Sequence, residues 1–138
     1  MDGTLLPRGT AGLSRLTPAL GARLLALHCD LRWATGWGAR ANVDLSPLLG
    51  FPQLPVVVLP EYPIGDYYPD ELHWKTRTLV AQAAGRPFIW IDDEIRHHDR
   101  TWVAANHPAP ALLVRVDPVE GLGDTHFALV TDWLRAER

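Results

Sequence analysis

Phe88-Ile89-Trp90-Ile91 is an apolar run of only four residues, and it passes without a break into Asp92-Asp93-Glu94. A run so short, aromatic and β-branched suits a strand covered on both faces better than a helix. Such a strand needs neighbours in a sheet and helices over its faces, and the rest of the chain offers both. Val56-Val57-Val58-Leu59, held between Pro55 and Pro60, is the strongest strand signal and is expected to be buried on both faces. Leu31-Arg32-Trp33-Ala34 and the segment from Ala111 to Val116 read as further strands. Thr17 can cap a helix that begins at Pro18 and turns Leu20, Leu24 and Leu27 to one side. An irregular helix is expected from Trp37 to Leu49, interrupted by Pro47 and stopped by Gly50. Another begins near His73 and runs through Leu79, Val80 and Ala83 to Gly85. Asp124 or Thr125 can cap a last helix with Phe127, Val130 and Leu134 facing inward. Pro7 to Gly12 and Glu61 to Asp70 read as loops, and Arg96 to His107 as part helix and part loop. Strands alternating with helices predict an α/β fold with a parallel sheet, in which ligands bind beyond the carboxyl ends of the strands.

At 138 residues the chain has the size of one domain, 1–138, with room for a core but not for a separate substrate domain. A net charge of −3 provides no extended surface for gripping a nucleic-acid backbone, so any such contact is expected to be local. The single cysteine, Cys29, excludes an internal disulfide and is expected to be a buried thiol in a reducing compartment. No apolar run reaches the length of a membrane span, and no secretory signal pattern opens the chain, so a soluble, cytoplasmic protein without membrane contact is expected. Lys75 is the only lysine beside twelve arginines. A compact ammonium on a flexible stem fits sites that a planar guanidinium does not, so this position is singled out.

The chemistry-bearing residues fall at the predicted strand ends: Asp2-Gly3-Thr4-Leu5, then Thr35-Gly36, then Lys75 at a helix start, then Asp92-Asp93. Each alone has a plainer explanation. Asp2 could be a terminal acid, Thr35 a strand-end cap and Lys75 a solvated helix residue, while Asp92-Asp93-Glu94 could open a helix whose dipole favours acids. Together, in this order and context, they resemble the four motifs of the haloacid dehalogenase (HAD) superfamily, and the likeness covers nearly the whole chain. Trp33-Ala34-Thr35-Gly36-Trp37 and Trp90-Ile91-Asp92-Asp93-Glu94 look similar to the small HAD domains of RNA-repair proteins.

The resemblance implies a three-layer Rossmann-like fold whose first strand is central, flanked by the strands that carry the threonine and the acids. It implies a Mg²⁺-dependent phosphatase working through an aspartyl-phosphate. Asp2 would be the catalytic acid/base, protonating the leaving oxygen and then activating water, and its backbone carbonyl would join Asp92 and Asp93 as metal ligands. Thr35 and Gly36 would hold the phosphate oxygens, and Lys75 would neutralise charge on the nucleophile and the phosphoryl group. The nucleophilic aspartate of the motif would stand one residue before Met1. An N-terminal truncation is therefore expected, with the first strand largely missing, an in-frame extension encoding it upstream, and little or no activity in the chain as written. A catalytically inactive phosphate- or partner-binding domain is the alternative.

The intervals between these motifs leave no room for a substantial cap domain. An open site suits a phosphomonoester at the end of a macromolecule, either a nucleic-acid terminal phosphate or a protein phosphoresidue. Tyr62, Tyr67 and Tyr68 are candidate stacking surfaces, and Trp37 and Trp74 could flank the site. His97 and His98, lacking a second close ligand pair, read as a solvated turn rather than a zinc site.

Overall fold

The computed structural model describes the backbone of Asp2–Gly3, residues 16–60 and residues 67–137. Its sheet is built on β3 (Phe88–Asp92), every residue of which is buried. β3 pairs in parallel with β4 (Ala111–Arg115) through five register pairs, from Phe88↔Ala111 to Asp92↔Arg115. On its other side lies β1 (Asp2–Gly3), followed by β2 (Arg32–Trp33), all parallel in the order β2-β1-β3-β4. Asp2 is level with Arg32 and Trp90, and Gly3 with Trp33 and Ile91. The short first strand thus sits between the strand preceding Thr35 and the strand ending in the acids.

The helices follow the apolar spacing. In α1 (Pro18–Leu25) Thr17 is the N-cap, its Oγ1 accepting the Leu20 N–H at 3.2 Å. The irregular helix expected from Trp37 is two short ones, α2 (Arg40–Asp44) and α3 (Ser46–Leu49), separated at Leu45 because Pro47 lies in the first turn of the second. Gly50 closes α3 at φ +68. α4 (Thr76–Ala83) starts three residues later than expected, because His73 is held in a bridge with Tyr67. α5 (His97–Asn106) makes the polar segment mostly helical. α6 (Asp124–Ala136) buries Phe127 and Val130; Gly123 occupies its N-cap position, so neither Asp124 nor Thr125 is the cap. No helix among the described residues is long and apolar enough to cross a membrane.

Two apolar clusters cover the sheet beside β3. Trp90 and Phe88 pack with Ala34, Val57, Leu79 and Val103 under α4 and α5, whereas Ile89 and Ile91 pack with Val114, Val116 and Val130 under α6. This is the division expected of a strand whose side chains alternate between faces. A third cluster joins Trp33 to Leu16, Leu45 and Leu49. There α1 lies so close to α3 that a Cβ on Gly21 would stand 1.7 Å from the Leu49 carbonyl oxygen, which explains the glycine at that crossing.

Two expectations of burial are corrected. Val56–Leu59 is not a strand buried on both faces: among the described residues its only sheet pairing is the single bridge Trp33↔Val56, and Val58 is 82% exposed. It lies at the edge beside a two-residue neighbour, and Pro55 and Pro60 have no N–H to extend a ladder. Cys29 is half-buried, with its thiol 3.6 Å from the Leu27 carbonyl. The Pro7–Gly12 loop, Thr4, Leu5, Tyr62 and the side chain of Asp2 lie outside the described residues.

Candidate functional site

The carboxyl end of β3 carries an uncommon density of buried charge. The apolar strand draws Asp92 inward until it is 1% exposed, and Lys75, in the turn before α4, reaches it at 2.7 Å from Nζ to Oδ2. The indole N–H of Trp90 approaches the same oxygen at 3.3 Å, while the Glu94 backbone N–H donates to Oδ1 at 3.1 Å. Burial alone would raise the Asp92 carboxyl, but the charge and hydrogen bond of Lys75 outweigh it and hold the group below the ordinary carboxylate range.

Asp93 is partly buried, with no such cation beside it among the described residues. Desolvation, then its hydrogen bond to Asp92 and the negative charge of Asp92, push its carboxyl up to about 7. Ligand oxygens of Asp92, Asp93 and Glu94 lie within 4.8 Å of one another. Three carboxylates with only oxygen donors fit a hard cation such as Mg²⁺.

The expected phosphate-holding residues stand across the sheet. In the register of β1, Trp33 is level with Ile91, so the turn that carries Thr35 and the turn that carries Asp93 leave the same carboxyl edge of the sheet. Thr35 is buried, and its Oγ1 accepts the Trp37 N–H at 3.3 Å, holding the Gly36 turn in shape. Thr35, Gly36, Lys75, Asp92 and Asp93 therefore share one edge. Asp2 is placed differently: it is level with Trp90, two residues and ~7 Å short of Asp92 along the strands, so this register does not bring its carbonyl to the acids.

A second network, not singled out from the sequence, supports the first. His73, fully buried, accepts the Lys75 N–H at Nδ1 (3.2 Å) and meets Glu94 Oε1 through Nε2 (3.1 Å). Tyr67 donates its hydroxyl to the Glu94 carbonyl at 2.6 Å. Asp99, also fully buried, accepts from the His73 N–H (2.9 Å), the Thr76 hydroxyl (2.7 Å) and the Arg96 N–H (3.0 Å), tying the start of α5 to that of α4. The only sequence sign of this network is the spacing His73-Trp74-Lys75; the partners of His73 come from 21 and 26 residues away.

The aromatic candidates are already engaged. The Arg96 guanidinium lies 3.4 Å from the Tyr67 ring centroid, which occupies that face of the expected stacking platform. Arg77 stands 5.6 Å from the Tyr68 ring and pairs with Asp70. Trp74 is buried near the Lys75 ammonium, 5.7 Å from ring centroid to Nζ, whereas Trp37 packs on the Trp33 cluster. His97 and His98 are exposed and turned to Thr101 and Glu71, away from any shared ligand set among the described residues. Comparison of the chain with family models, curated proteins and solved structures found no match.

Proposed function

We propose that this chain is a HAD-type phosphohydrolase domain, Rossmann-like and without a substantial cap, that acts with Mg²⁺ on a phosphomonoester at the end of a larger molecule. The observation that carries this proposal is the buried Lys75–Asp92 pair, 2.7 Å apart, set beside two further carboxylates at a strand end. A buried ion pair contributes little to net stability, because desolvation offsets its attraction, so its presence calls for another reason. The sheet order adds support. Counting the Val56 bridge, the segments run 3-2-1-4-5 across the sheet, as in doubly wound folds that bind ligands beside the first strand. Thr35 follows the strand on one side of β1, and Asp93 the strand on the other.

In this assignment the Lys75 ammonium draws in a phosphoryl oxygen, while Thr35 and the backbone N–H of Gly36 orient the others. Asp92 and Asp93, with Glu94 beside them, would hold Mg²⁺. When bound, that ion would neutralise charge on the phosphoryl group. Asp2 would move the proton at the leaving oxygen. The register of Asp2, short of the acids, favours a second assignment in which the domain binds a phosphate or a partner without turning it over.

A 5′-phosphorylated oligonucleotide and a phosphopeptide, each with Mg²⁺, test both assignments. Release of phosphate, abolished in Lys75→Ala and Asp92→Asn variants that remain folded, is expected. Binding without release would select the second assignment. Failure to bind either Mg²⁺ or phosphate would overturn both.

A further inference from the structure

Asp99 is fully buried, and its carboxylate is held by neutral donors. One of these follows from its place in the chain. Asp99 lies in the first turn of α5, where an acid suits the helix dipole, and its Oδ2 accepts the N–H of the N-cap residue Arg96 at 3.0 Å. Capping α5 requires nothing of the other oxygen. Oδ1 instead reaches back 23 residues to the Thr76 hydroxyl, at 2.7 Å, and 26 residues to the His73 N–H, at 2.9 Å. Those two donors bracket Lys75.

The bracketed turn carries a side chain that depends on where its backbone stands. The Lys75 N–H donates to His73 Nδ1 at 3.2 Å, and the Lys75 carbonyl accepts the Leu79 N–H at 3.0 Å. Beyond Cα the stem is flexible, so its ammonium stays 2.7 Å from Asp92 Oδ2 only while the turn remains within reach. His73, Lys75 and Thr76 are all buried. Donors released by Asp99 would find no water there, and the turn would have to move to satisfy them. A carboxylate suits the position because it only accepts. An amide in its place would turn an NH₂ group toward the His73 N–H or the Arg96 N–H, and both of those can only donate.

We propose that Asp99 is a positioning residue: by holding the Thr76 hydroxyl and the His73 N–H it fixes the turn that carries Lys75, and through that turn the ammonium against Asp92. What the ammonium does there rests on its assignment as the group that draws in a phosphoryl oxygen. Lys75 is the only lysine, so ¹⁵N-lysine labelling of the full chain gives one ammonium signal, whose proton exchange with water reports the pairing. Exchange is expected to be slower in wild type than in Asp92→Asn. In Asp99→Asn and Thr76→Val, folded by their amide spectra, it should be about tenfold faster than in wild type, the scale of one lost hydrogen bond to a charged group. Thr76→Ser keeps the hydroxyl and should behave as wild type. Gly21→Ala, which strains the α1–α3 crossing instead, should leave the signal unchanged. Inorganic phosphate, titrated by calorimetry, should bind wild type and Thr76→Ser alike and Thr76→Val about tenfold more weakly.

Unchanged exchange in folded Asp99→Asn and Thr76→Val proteins would overturn the positioning role and leave the Lys75–Asp92 pair standing; if Asp99→Asn does not fold, Thr76→Val decides alone. Equal acceleration in Gly21→Ala would also overturn it, because the signal would then follow stability and not the turn. The expected exchange pattern without phosphate binding by wild type would uphold the positioning of the ammonium and overturn the phosphate assignment.

Discussion

The two halves of the sheet reach order by different means. β3 and β4 share five register pairs, and apolar side chains cover both faces of β3, so ladder and burial reinforce each other. β1 and β2 share two pairs only. That side is held by helix packing, with Trp33 inserted among Leu16, Leu45 and Leu49 and its indole donating to Ser46 Oγ at 3.0 Å. The lesson lies in where the charges are. The buried ion pair stands on the half with the continuous ladder, where a strand end can be pulled inside against the cost of desolvation. On the other half the corresponding turn carries only the neutral Thr35.

The contrast can be broken most forcefully at Lys75. Lys75→Met leaves Asp92 buried without its cation and should cost about 3–5 kcal/mol in urea unfolding at pH 7. Adding Asp92→Asn should recover much of this; a single-variant cost below ~1 kcal/mol would show that the pair is solvated.

Next comes the helix-supported half. Gly21→Ala places a methyl group against the Leu49 carbonyl, and overpacking of this kind should cost about 1–3 kcal/mol. Amide exchange should accelerate in α1 and α3 while β3 stays protected. Equal acceleration in β3 would erase the distinction between the halves.

A pH series then sharpens the picture at the acidic edge. The Asp93 carboxyl is raised in the folded state from an ordinary 3.8 to about 7, so its contribution to stability is fully present below pH 3.8 and is lost as pH rises through about 7. In metal-free buffer the Asp93→Asn protein should therefore show a flatter decline across this window than wild type, with Mg²⁺ restoring wild-type stability above it. Asp92 acts in the opposite sense: its stabilisation is present above its unfolded value and lost as pH falls through its lowered folded one. The smallest effect is expected at the sheet edge. Val58→Ser, at an 82% exposed position, should change stability by less than about 0.5 kcal/mol in the same unfolding assay; a larger loss would restore Val56–Leu59 as a buried strand.

Local signals were sufficient for much of the fold. Thr17-Pro18, the apolar run ending at Asp92 and the inward spacing of Phe127 and Val130 each describe interactions within a few residues, and each appears where expected. Val56–Leu59 failed because β-branching reports what fits a strand, not which strand is central; its neighbour has two residues and its flanking prolines lack donors. The candidate site divides in the same way. Lys75, Asp92 and Asp93 were legible as residue types at element ends, but Glu94, His73 and Asp99 acquired their places only from partners distant in the chain.

By itself, then, the sequence determined the alternation of strands and helices and the delivery of Thr35, Lys75 and Asp92 to one edge, because periodicity and strand polarity are local properties. The tertiary structure alone decided that Lys75 would neutralise Asp92, that burial beside Asp92 would raise the Asp93 carboxyl, and that His73 would join Lys75 to Glu94. Charge pairing and desolvation depend on distances across the fold, which no spacing along the chain encodes.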